Sequence, residues 1–161
     1  STGPPITPSA YNNNLMVFQT PDHVVLLTEM VHEARVVPLD ARPHLPDGVR
    51  QWLGDSRGHW DGDTLVIDST NFTDQIGSFN TLGMALGSGE TLHLIERLTR
   101  VDADTLLYEF TIDDPQTFAR SFTAAVPMQR TELPLFEFAC HEGNRGLVGI
   151  LRGARALERA P

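Results

Sequence analysis

The sequence contains no lysine: all 12 basic residues are arginine, set against 21 Asp and Glu. That absence excludes Schiff-base chemistry through a side-chain amine. It also excludes a G-x-x-x-x-G-K-[ST] phosphate loop and a kinase-type β3 lysine. A coding bias towards arginine is its plainest origin. Cysteine is almost missing as well, and Cys140 alone leaves no internal disulfide and no thiolate metal cluster. Long apolar runs are absent, and none approaches the length of a membrane span. The net charge of −9 argues against nucleic acid as a partner, because phosphate recognition needs a basic face.

What is present suits one globular domain. The 161 residues are 40% apolar and 20% charged, enough for a real core. The chain reads as a single β-rich domain over 1–161. Its first 15 residues form an extended Pro- and Gly-containing lead-in, and 146–161 a tail or short helix. The opening Ser1, without Met, fits a processed export signal, a trimmed chain or a tag remnant.

Punctuation by 13 Gly and 11 Pro cuts the chain into short runs rich in β-branched and aromatic residues. Strands are expected within 16–19, 23–37, 64–69, 91–101, 105–112, 118–126 and 135–141. Asp61-Gly62, Asp102-Ala103-Asp104 and Asp113-Asp114-Pro115 mark turns between them. Helix signals are few. A single turn fits 46–53, and Leu147, Ile150, Leu151, Ala154 and Leu157 fall at helical spacing near the end. The expected fold is all-β: a single small antiparallel barrel of lipocalin type, or a compact sandwich, with a short C-terminal helix.

Polar residues on otherwise apolar strand faces carry the chemical interest. Leu92, Leu94, Glu96 and Leu98 alternate on one face, while His93, Ile95 and Arg97 occupy the other. Glu96 is then an inward carboxylate, either paired with an Arg of a neighbouring strand or available as a base. Both faces of 23–37 read apolar, which places Glu29 or His32 inside. A carboxylate and an imidazole within a small barrel make a proton-transfer pair, or equally a hydrogen-bonded core pair. In Cys140-His141-Glu142 neighbouring strand residues point to opposite faces. Cys140 and His141 therefore do not form a nucleophile–base couple, and His141 is better placed to line a mouth.

The candidate catalytic set is Glu29, His32, His93, Glu96 and His141. The candidate substrate-binding set is Arg35, Trp52, Trp60, Arg97 and Tyr108. Guanidinium groups suit carboxylate or hydroxyl-rich ligands, and they also suit ion pairs with Glu29, Glu96 and Glu109. His44 lies in a rigid loop between Pro43 and Pro46. Six histidines occur, but no H-x-H or H-E-x-x-H spacing appears, so no metal site is expected. No G-x-S-x-G is present.

The run Gly58-His59-Trp60-Asp61-Gly62-Asp63-Thr64-Leu65-Val66-Ile67-Asp68-Ser69-Thr70-Asn71-Phe72 resembles the G-x-W-E-G-D-T-L-V-V-D-T hallmark of a large uncharacterised family of exported bacterial proteins. The resemblance continues through Leu92-His93-Leu94-Ile95-Glu96-Arg97, Tyr108-Glu109-Phe110-Thr111-Ile112-Asp113-Asp114-Pro115 and Ala139-Cys140-His141-Glu142. It covers about 19–144, most of the chain. Asp61 stands where the family has Glu. Ser121-Phe122-Thr123 stands where it has Pro-Trp-Thr. The resemblance implies export, to the periplasm or outside the cell, and a β-rich fold. It implies no activity that can be carried over.

The sequence therefore points to a small exported enzyme without an organic cofactor. It would perform general acid–base chemistry on a small hydroxylated molecule, as a lyase, isomerase or hydrolase. Glu96 or Glu29 would be the base, a histidine its partner acid, and Arg35 or Arg97 the orienting cation. The alternative is a lipocalin-like protein that binds a small molecule without transforming it. No membrane span is expected, and the sequence sets no oligomeric state.

Overall fold

The computed structural model describes residues 4–8, 12–74, 89–139, 142–143 and 145–158. The described residues form eight strands in two antiparallel sheets. β1 (Leu15–Gln19), β2 (His23–Thr28) and β3 (Ala34–Pro38) form one sheet. β4 (Asp55–Asp61), β5 (Thr64–Thr70), β6 (His93–Arg100), β7 (Thr105–Asp113) and β8 (Phe122–Gln129) form the second. A helix, α1 (Gly146–Glu158), follows.

The strands arise where β-branched and aromatic residues alternate. In β6, Leu94, Glu96 and Leu98 are buried while His93, Ile95 and Arg97 are half-exposed, as the pleat requires. Val24, Leu26 and Val37 of the first sheet meet Leu65, Ile67, Leu94, Leu98, Tyr108, Phe110 and Ile112 of the second. Each fully buried aliphatic side chain contributes about 1.5–3 kcal/mol.

The expected barrel does not close, and the architecture is the compact sandwich. The hydrogen-bonded ladder breaks twice, between β3 and β4 and between β8 and β1. At the first break the two strands still run close to each other. Gly58 sits so close that a β-carbon there would lie 2.8 Å from Leu39 Cδ2 and from Val37 Cγ1. The connection 39–54 carries Pro43 and Pro46, which have no N–H to extend a ladder.

The run 23–37 is a hairpin and not one strand. Val31 and His32 turn the chain with φ of 64° and 42°. Reversal of direction swaps which face each residue meets, so a two-faced apolar pattern belongs to two strands that each bury one face. The 46–53 segment holds turns and a single bridge from Gln51 to Phe72, without a helix. The expected strand 135–141 has no regular structure over its described residues, 135–139. Among the described residues no helix is long and apolar enough to cross a membrane.

Candidate functional site

Glu96 points into the sandwich and has no exposed surface. Arg35 of β3 reaches it from the opposite sheet through two parallel hydrogen bonds, Nη1 to Oε2 at 2.6 Å and Nη2 to Oε1 at 2.8 Å. The Tyr108 hydroxyl donates to Oε1 at 2.6 Å and accepts from the Ile6 N–H at 2.9 Å. Burial alone would pull the Arg35 pKa down, but the Glu96 carboxylate outweighs it and holds the guanidinium protonated. Burial, then the Glu96 charge, pushes the Tyr108 phenol well above its ordinary value. The cavity beside Arg35 measures about 10 Å³, roughly one water. Arg35, Glu96 and Tyr108 thus meet, but as a satisfied cross-sheet clamp with no space for a substrate at the carboxylate.

Glu29 is buried elsewhere, beyond the end of β2. Its Oε2 accepts the Asn14 amide side chain at 2.8 Å, and its Oε1 accepts the Phe136 N–H at 3.1 Å. Burial works to raise the Glu29 pKa. The N–H groups of Phe136 and Asn14, with the side-chain amides of Asn14 and Asn12, overcome it and lower the value. Glu29 is therefore a staple joining the entry to β1 with the segment after β8. His32 is exposed on the turn. Trp52 is 62% exposed on the 39–54 connection, and Trp60 is exposed near the β4–β5 turn. Arg97 pairs with Asp61 on the outer face of the second sheet at 2.9 Å. His141 and Cys140 lie outside the described residues. Within the catalytic set, then, no described residue hydrogen-bonds another.

His93 does find a carboxylate, one that the sequence did not single out. Its Nε2 lies 3.0 Å from Asp68 Oδ1 of β5. The same oxygen is 3.3 Å from His44 Nε2. His44 Nδ1 is 2.9 Å from Asp55 Oδ2. The buried Asp55 also accepts the Leu45 N–H at 3.0 Å and the Arg57 guanidinium at 2.7 Å. Carboxylate and imidazole alternate over four groups, from buried Asp55 to half-exposed His93, on the outer face of β4, β5 and β6.

Local chain geometry builds this array. Asp68 and Arg57 are register partners, and so place Asp55 and Asp68 on one face. The connection folds back over that face. The Asn71 side-chain amide donates to the carbonyls of Leu45, Pro46 and Val49. An ion pair from Arg42 holds the Asp40 carboxyl at about 2. His44, Asp55 and Asp68 had one legible trace: Pro43 and Pro46 mark the loop as rigid. Their convergence needs the fold-back, which no local pattern encodes.

A second, larger cavity lies elsewhere, at the seam where β8 fails to meet β1. It measures about 800 Å³ and is open on one side. Leu15, Met16 and Val17 line one wall, and Leu106, Val126 and Met128 another. Val17 is the register partner of buried Leu26 and so lies on the core-facing side of its strand, yet 45% of it is exposed. Asn14, Thr28, Asp104 and Thr105 place hydrogen-bonding groups in the lining.

Comparison of the chain with protein-family models, curated proteins and solved structures finds no match.

Proposed function

We propose that the protein binds a small, largely apolar molecule with a hydrogen-bonding end in the groove between β1 and β8. One observation carries this reading: core-facing side chains remain uncovered along a groove of about 800 Å³. That volume falls in the range of small-molecule sites, which combine an apolar wall with a few polar groups. The interior carboxylate supports the same choice. Both oxygens of Glu96 are taken by Arg35 and Tyr108, so this carboxylate is not a free base.

A fluorescent apolar probe, N-phenyl-1-naphthylamine, tests the reading. Its emission should rise saturably on titration with the protein. Val17→Trp and Met128→Trp, which fill the groove, should remove that response, while Val36→Trp on the outer side of β3 should keep it. Absence of saturable binding, or equal binding by the groove-filling variants, overturns the proposal.

A second reading, acid–base chemistry, is favoured by the Asp55–His44–Asp68–His93 array. There His93 would exchange the proton, with Asp68 orienting its ring. It expects a turnover with a hydroxylated small molecule that His93→Gln and Asp68→Asn abolish and that Met128→Trp leaves intact.

A further inference from the structure

Helix α1 has no buried residue. Leu147, Ile150, Leu151, Ala154 and Leu157 fall at i, i+3, i+4, i+7 and i+10 and share a stripe about 120° wide at 3.6 residues per turn. Ile150 is 69% exposed and Leu157 78%. Arg152 and Arg155 stand on the adjoining flank with Val148, and neither has an ion-pair partner among the described residues. Gly149, Gly153 and Ala156 make up the back.

Such a helix is poorly supported alone. Thirteen residues with three glycines are marginal in water, so a covering surface adds stability. Charge selects the surface. Arg145, Arg152 and Arg155 face a single Glu158 across 145–158, in a chain of net charge −9. The cationic segment of an acidic protein is complementary to an anionic layer, which repels the rest of the molecule. Apart from the terminal Glu158, which falls within the same arc, the stripe is aliphatic and has no aromatic key to fit a shaped protein pocket. A fluid lipid interface demands no such fit. At 13 residues the helix is too short to span a bilayer, but it can lie in the interface plane with aliphatic side down and arginines at headgroup level.

From these features we infer that α1 docks the protein onto an anionic lipid surface. The test uses the whole chain and flotation with two vesicle populations, phosphatidylcholine alone and the same lipid with about a third phosphatidylglycerol. The protein should float only with the anionic vesicles, gain helical circular dichroism there, and be released by high salt. Arg152→Glu/Arg155→Glu should weaken partitioning by about tenfold or more, and Ile150→Asp/Leu151→Asp should abolish it. All four positions are exposed, so an unchanged melting temperature serves as the folding control. Three results overturn the proposal: no flotation with anionic vesicles, equal flotation with both populations, or a dimer in light scattering that the aspartate variants dissociate. The last would assign the stripe to a second copy of the chain.

Discussion

Glu96 accepts three hydrogen bonds deep in the core, and Arg35 and Tyr108 depend on it in turn. Removing one member of a buried pair strands the other, which costs about 3–5 kcal/mol. Glu96→Gln leaves the Arg35 guanidinium without its counter-charge and should lower stability by that amount in urea titration. Tyr108→Phe removes one donor to the carboxylate and the acceptor of the Ile6 N–H, and should cost about 1–3 kcal/mol. A loss below about 1 kcal/mol in Glu96→Gln would mean that the clamp carries no net charge pair. The phenol adds a pH dependence. Its folded pKa is raised, so its contribution is complete below the ordinary value near 10 and is lost as pH rises through the folded value. Alkaline unfolding should therefore steepen above about pH 10, and Tyr108→Phe should flatten that limb.

Between elements, the first break in the ladder rests on Gly58. A β-carbon there would press on Val37 and Leu39 at 2.8 Å, and both are side-chain tips. Gly58→Ala should thus shift the β3–β4 contact and not unfold it, at about 1–3 kcal/mol for an overpacked site, read as a lowered melting temperature. Glu29 holds the other side. Its pKa is lowered, so its contribution is present above the ordinary carboxyl value near 4.3 and fades as pH falls through the folded one. The Phe136 amide should lose protection, measured against its intrinsic exchange rate at each pH, in that acid window, and Glu29→Gln should bring the same loss to neutral pH. Elements were legible where alternation and turn chemistry coincide. The turns at Asp61-Gly62, 102–104 and 113–115 and the strands β5, β6 and β7 all follow local rules. The hairpin at 30–32 escaped because Val31 and His32, both without turn preference, take positive φ. That conformation is dictated by β2 and β3 pairing, not by local propensity.

For the whole molecule, inward and outward faces could be read from β6, and with them the burial of Glu96. The partners could not, since Arg35 comes from 61 residues away and Asp68 meets His44 only after a loop folds back. Closure was equally hidden, because an eight-strand meander has the same local pattern whether or not its first and last strands pair. An open sandwich carries a consequence for association. β1 and β8 are edge strands with backbone groups free to template another chain. β8 holds Pro127 opposite Leu107, and proline at an edge removes one N–H from the exposed row. Its removal should make that row continuous beside the apolar groove wall of Val126 and Met128. Pro127→Val is accordingly expected to self-associate with rising concentration, seen as a growing mass in light scattering, while the wild type keeps a constant mass. A fluorescent apolar probe that occupies the groove should suppress the association, because both compete for the same seam. If Pro127→Val keeps the wild-type mass at every concentration, the edge is guarded by something other than the proline, and the charged segment Arg130–Glu132, joined by its own ion pair at 2.8 Å, is the next residue pair to neutralise.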